Sequence, residues 1–185
     1  MANSAQRLLV IGPSWVGDMV MAQSLFMTLK ARQPGTTIGV VAPAWSQPIL
    51  ERMPEVDEVL PLAVGHGEFG LASRRELANR LRGRFDRAIV LPRSWKAALV
   101  PFMARIPERI GFLGEHRYGL LKERRKLDKQ VLDQTVKRFV SLGLPLEEAA
   151  RGDFVLPKPR LQIDRDNLVN LRLTHSLSSR TAIGM

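Results

Sequence analysis

"RLLVIGPSWVGDMV", residues 7–20, decides the fold. Its opening is a continuous apolar run halted by Gly12-Pro13. A run with no polar alternation predicts a strand covered on both faces, as in a parallel sheet. From Asp18 to Arg32 the pattern turns helical: Val20, Leu25 and Leu29 fall on one face, Met21, Ser24 and Thr28 on the next, and Pro34-Gly35 ends it. Strand, tight turn and helix make the first half of a βαβ unit. Gly12 and Gly17 have the spacing of G-x-x-x-x-G-K-[ST], yet Asp18 stands at the lysine position and Met19 at the hydroxyl position. A phosphate loop is disfavoured, because Asp18 would repel the anion and no lysine replaces it.

The alternation continues outward from that turn. Strands are expected at 36–42, 56–62, 86–92 and 109–113. Helices are expected at 46–53, 71–83, 94–106, 131–143 and 164–175, with Ser94 as an N-cap and Pro101 as a kink or break. Glycine-rich "GHGEFG" (65–70) reads as a loop. The fold class is therefore α/β, a doubly wound parallel sheet of the Rossmann-like kind. The texture changes after Arg151: "LPKPRLQI" (156–163) is proline-rich and extended, and "RTAIGM" (180–185) looks like the first strand of something new. The expected organisation is one domain over 1–155, then a linker and the opening of a second, truncated domain over 156–185.

The chain has 185 residues, 45% apolar and 25% charged, enough for a core of ordinary size. Net charge is +10, from 28 Lys+Arg against 18 Asp+Glu. That excess suits an anionic partner such as nucleic acid, a phosphorylated sugar or an acidic membrane surface, or simply an Arg-rich surface. Absence of cysteine excludes disulfide scaffolds and thiolate metal sites and fits a reducing compartment. No run approaches the roughly 20 apolar residues of a membrane span. The N-terminal run meets Gly-Pro too early for a signal peptide. A cytoplasmic protein with at most peripheral membrane contact is expected.

In an open parallel sheet, ligands sit beyond the carboxyl ends of the strands. The turn after the first strand is thus the prime site. Gly17 would let a ligand approach the backbone. Asp18 is either a helix-start acid, a feature that contributes about 0.3–1 kcal/mol, or a general base facing an open crevice. Ser14 and Trp15 would shape the pocket mouth, although Trp15 fits core filling equally well. Arg93 and Lys96, just past the fourth strand, belong to the same sheet edge. Arg109, Arg117 and the run Lys122, Arg124, Arg125, Lys126 are further basic candidates, each also compatible with a solvated surface. His66 reads as a loop residue with nothing near it at metal-ligand spacing.

"GPSWVGDMVM" (12–21) and "LPRSWKAALVPF" (91–102) are specific signatures. With the surrounding "LLVIG…DEVLPL" (8–62), "VGHGEFG" (64–70), "RAIVLPRSWKAALVPFMARIPERIGFLGEHRYGLL" (87–121) and "LDK" (127–129), the chain resembles the N-terminal half of the ADP-heptose:lipopolysaccharide heptosyltransferases of glycosyltransferase family 9. The likeness covers essentially the whole chain and is closest to the members that add the second heptose. Two departures stand out: Arg93 where a small amide residue is expected, and Phe69 in a variable loop.

The resemblance implies a GT-B fold of two facing Rossmann-like domains. Its N-terminal domain would hold the acceptor, the inner core of lipopolysaccharide (heptosyl-Kdo2-lipid A). Its C-terminal domain would hold the donor, ADP-L-glycero-D-manno-heptose. The reaction implied is an inverting transfer of heptose to the first core heptose, with Asp18 as base. Ser14, Trp15, Gly17, Arg93, Ser94, Lys96, Arg109 and Arg117 become acceptor-binding candidates. No metal and no cofactor beyond the donor are implied. The location implied is cytoplasmic and peripheral to the inner membrane. The family's D-S-G-x-x-H nucleotide pattern does not occur in this sequence, so a chain of these residues alone is expected to lack the donor site and to be inactive.

The rivals fit less well. A dinucleotide-binding Rossmann domain needs G-x-G-x-x-G after its first strand, which "GPSWVG" does not supply. A noncatalytic nucleotide- or anion-binding domain of similar fold remains an alternative. A nucleic-acid-binding module rests on charge alone, with one tyrosine and few aromatics beside the basic clusters. No nucleic-acid partner is expected.

Overall fold

The computed structural model describes residues 6–63 and 69–175. Six strands form one parallel sheet: β1 (Arg7–Ile11), β2 (Thr37–Pro43), β3 (Glu58–Leu62), β4 (Arg87–Val90), β5 (Glu108–Phe112) and β6 (Glu123–Arg125). Their order is β3-β2-β1-β4-β5-β6, with every pair parallel. The helices are α1 (Val16–Arg32), α2 (Gln47–Leu50), α3 (Leu71–Leu81), α4 (Leu99–Met103), α5 (Thr135–Leu142), α6 (Leu146–Arg151) and α7 (Arg165–Thr174).

The apolar run of β1 behaves as its composition dictates. Leu8, Leu9 and Val10 are wholly buried, with successive side chains entering opposite cores. Leu8 and Val10 meet Leu25 and Phe26 of α1 and Phe139 of α5 in one layer. Leu9 and Ile11 meet Leu77 and Leu81 of α3 and Val100 of α4 in the other. Covering both faces is what parallel strands require.

Several expectations shift in detail. The helix expected over 94–106 is two short pieces, a 3-10 turn at Trp95–Ala98 followed by α4. Pro101 does not kink it. The residue sits in the first turn of α4, where a missing N–H costs nothing. Ser94 holds the N-cap position, but its side chain makes no capping hydrogen bond. Glu115 supplies the acceptor instead, taking the Trp95 N–H on Oε2 at 3.2 Å. Helix α5 begins at Thr135, not 131. Strand β6 and helix α6 have no counterpart among the expected elements. The loop segment 64–68, with His66, and the strand expected near the end of the sequence lie outside the described residues.

The proline-rich stretch from Phe154 onward is extended and crosses α1. Gln23, wholly buried, donates to the Arg160 carbonyl (2.8 Å) and accepts the Arg160 N–H (2.8 Å). Ser24 donates to the Pro157 carbonyl at 2.7 Å. Two polar side chains on the core-side helix thus exist to satisfy this segment. Helix α7 follows, capped by Asp164, with no buried residue.

Candidate functional site

The strand order reverses at β1: β2 lies to one side of it and β4 to the other. The connections leaving β1 and β4 therefore diverge, and a crevice opens between them at the carboxyl edge. A cleft of about 330 Å³ occupies that place. Pro13, Ser14, Trp15 and Asp18 line it from the β1–α1 turn; Leu91, Pro92 and Arg93 line it from the end of β4. Phe112 closes it from β5, and Thr135, Arg138 and Phe139 of α5 form its far wall with Leu127.

The β1–α1 turn is tight because Gly12 allows it. A Cβ there would lie 2.9 Å from Met19 Cε and 3.3 Å from the Val41 carbonyl oxygen. Its N–H bonds that same carbonyl at 2.8 Å. Trp15 is the N-cap of α1, so Asp18 falls in the first helical turn, where the dipole favours a negative charge. Asp18 is half-buried, and its carboxylate takes no hydrogen bond or ion pair from the described residues. It lies in a cleft wall, not against its own helix. A Cβ on Gly17 would meet nothing within 4 Å, so no packing demand explains this glycine.

Arg93 is exposed and anchored at one end: its Nη2 donates to the Leu113 carbonyl at 3.3 Å. Arg138 faces Asp18's cleft from α5 and is braced by two carbonyls, Leu132 (Nε, 2.9 Å) and Asp133 (Nη2, 3.0 Å). The cleft thus presents one carboxylate and two guanidinium groups on three different elements. That set can take a proton from a hydroxyl while holding nearby anionic groups.

The other candidates divide between the cleft wall and places away from it. Trp15 is 74% exposed, which rules out core filling. Lys96 places its ammonium over the Phe69 ring, 5.8 Å from the centroid, and Ser94 offers its carbonyl to Arg117. Arg117 is fully buried and cannot touch a ligand in this conformation. Its Nη1 donates to the carbonyls of Pro92 (2.6 Å) and Ser94 (3.3 Å), and its Nε to that of Phe112 (3.0 Å). Burial first, and then the neighbouring Arg93 charge, push its pKa down to about 10, with Glu115 opposing. Arg117 is a clasp between the loops after β4 and β5. Arg109 is at the amino end of β5, the wrong edge for the cleft. Its guanidinium donates to the Leu120 and Ile106 carbonyls and lies over the Phe102 ring. Burial lowers its pKa. In the run 122–126, Arg125 is buried, donating to the Ser141 carbonyl and pairing with Glu123. Arg124 lines a separate cleft at the amino edge.

Thr135 and Arg138 were not among the sequence candidates. Only the return of the chain through β6 brings α5 to the cleft, and that three-residue strand carries no apolar signature: it reads Glu-Arg-Arg.

These features define a Rossmann-like domain of the GT-B kind, with a carboxylate at its first crossover. The profile of glycosyltransferase family 9 (heptosyltransferase) matches residues 74–173, and the chain belongs to that family. It is 53% identical over 156 residues to lipopolysaccharide heptosyltransferase 2 of Salmonella typhimurium, covering 84% of this chain and 44% of that protein. Its identity to the Escherichia coli protein of the same name is 56% over 138 residues, covering 74% of this chain and 40% of that one. The solved structure of E. coli ADP-heptose lps heptosyltransferase II superposes with a TM-score of 0.80 at 45% identity, over 94% of this chain and 51% of that one. The chain spans about half the length of the relatives it matches. Among the described residues no helix is long and apolar enough to cross a membrane, and no group of His, Asp and Glu could hold a metal ion.

Proposed function

We propose that this domain is the acceptor-binding part of an inverting heptosyltransferase that adds heptose to the first heptose of the lipopolysaccharide inner core. Asp18 carries this proposal: it is a carboxylate without a partner among the described residues, in the switch-point cleft of a chain similar to proteins named lipopolysaccharide heptosyltransferase 2. Asp18 accepts the proton of the acceptor hydroxyl. The oxygen's electron pair forms the new bond to the anomeric carbon of the ADP-heptose donor. The bond from that carbon to the ADP oxygen breaks on the opposite face, and ADP leaves with its pair. Inversion follows from attack opposite the leaving group. Arg93 and Arg138 steady the acid and phosphate groups of the acceptor. The donor is held by residues outside the described domain. The acceptor belongs to a lipid, so the site works at the cytoplasmic surface of the inner membrane, with peripheral contact.

Asp18→Asn in the full-length enzyme tests the reading. General-base help is worth about 10²–10⁴-fold, so transfer falls by that order while circular dichroism and thermal melting stay unchanged. Near-normal turnover would remove Asp18 from the base role.

A further inference from the structure

The chain has three tryptophans, and all three are exposed: Trp15 at 74%, Trp45 at 49% and Trp95 at 38%. Tryptophan is highly buried on average, so three exposures in one small domain need a reason. Their positions supply it. Each stands at the helical opening that follows its own strand. Trp15 caps α1 after β1, Trp45 is in the 3-10 turn after β2, and Trp95 begins the 3-10 turn after β4. Strands β2, β1 and β4 are consecutive neighbours in a parallel sheet, so the three rings share one edge, centred on the strand that leads to Asp18. Neighbouring strands are about 4.8 Å apart, so the ends of the outer two strands are about 10 Å apart. Trp95 is also propped: Phe69 lies against it with ring centroids 5.2 Å apart, and Lys96 backs Phe69 from 5.8 Å.

We propose that Trp45, Trp15 and Trp95 form a platform for successive sugar rings of an oligosaccharide acceptor, on either side of the unit presented to Asp18. The flat faces of pyranoses carry C–H groups that stack on the electron-rich faces of indoles, and a rigid two-torsion side chain loses little entropy in doing so. Trp15 lines the Asp18 cleft itself, which makes the row continuous with the reacting position. The platform rests on the acceptor reading above and adds a length requirement: affinity comes from sugars beyond the one that reacts.

The test uses full-length protein titrated calorimetrically with two probes, a deacylated, phosphate-free inner-core oligosaccharide and a single heptose methyl glycoside. Trp45→Ala and Trp95→Ala should each weaken the oligosaccharide by about 3–10-fold, the range of one aromatic contact, and leave the single sugar unchanged. Trp45→Phe, which keeps a flat ring, should recover most of the loss. Equal oligosaccharide affinity in wild type and both alanine variants overturns the platform, whatever the activity of Asp18→Asn. Failure of wild type to bind either sugar overturns the acceptor reading and the platform with it. Loss of binding to anionic phospholipid vesicles without any loss for the sugar overturns the platform in favour of a membrane contact.

Discussion

Asp18 and Arg117 show how much one residue type reveals alone. The place of Asp18 in the β1–α1 turn was legible because a local pattern framed it: an apolar strand, a Gly-Pro stop and a helical period leave a turn whose acid has no cation beside it. Arg117 was not legible as a clasp. Its partners are the carbonyls of Pro92, Ser94 and Phe112, and only the finished sheet gathers them. The same loops are drawn tight elsewhere, since a Cβ on Gly114 would lie 2.7 Å from the Arg93 carbonyl oxygen. Arg117→Met should therefore act through position, not chemistry. Each carbonyl left without a donor costs about 1–3 kcal/mol, so the melting temperature drops. In the full-length enzyme the loop bearing Arg93 loosens, and KM for the acceptor rises more than kcat falls. An equal loss in kcat alone, at unchanged melting temperature, would mean that Arg117 touches the reacting groups.

At the scale of elements, β1, β2 and β4 could be read directly because each is largely an apolar run, and β3 and β5 because apolar residues flank a single Pro or Gly. Strand β6 could not, since hydrogen bonds from β5, not side-chain pattern, make Glu123–Arg125 a strand. The α4 region departs from its sequence pattern for a different reason. A helical period over 94–106 does not distinguish 3-10 from α geometry, and Pro101 fits the first turn of a helix as well as a break. The extended segment across α1 reads as a linker in the sequence, and hydrogen bonds to Gln23 and Ser24 tie it to the sheet domain. Gln23→Leu should leave the Arg160 N–H and carbonyl without partners and also strip a contact from Glu55, which accepts from Gln23 at 3.0 Å. The expected cost is about 1–3 kcal/mol per buried group left unpaired. Hydrogen exchange should speed up at Arg160 while strand β1 remains protected. Unchanged exchange at Arg160 would show that the proline-rich backbone holds itself in place.

Across the whole molecule, the sheet order and the cleft follow from rules of connection that sequence patterns expose well, but the distribution of charge does not. The +10 excess suits a surface for anions, yet not every cation is free to serve one. Arg109, Arg117 and Arg125 are buried on backbone carbonyls, and Arg7, Lys30, Arg32 and Arg84 face Asp86, Asp57, Glu148 and Glu58. Arg93 and Arg138 remain at the cleft. Attraction for an anionic acceptor should then be modest in reach and sensitive to salt, since charges beyond about 8 Å are screened at physiological ionic strength. Acceptor KM should rise between 50 and 500 mM NaCl while donor KM changes less. A KM for the acceptor indifferent to salt would argue that its acidic groups do not meet these arginines.

Gln23 and Ser24 sit on the same rigid rod as Asp18, little more than a turn further along α1, about 8 Å by helical rise. The strap they hold runs on into α7. Through those hydrogen bonds α7 is tethered to the helix that carries Asp18, so a change in how α7 packs has a direct covalent and hydrogen-bonded route to the cleft wall.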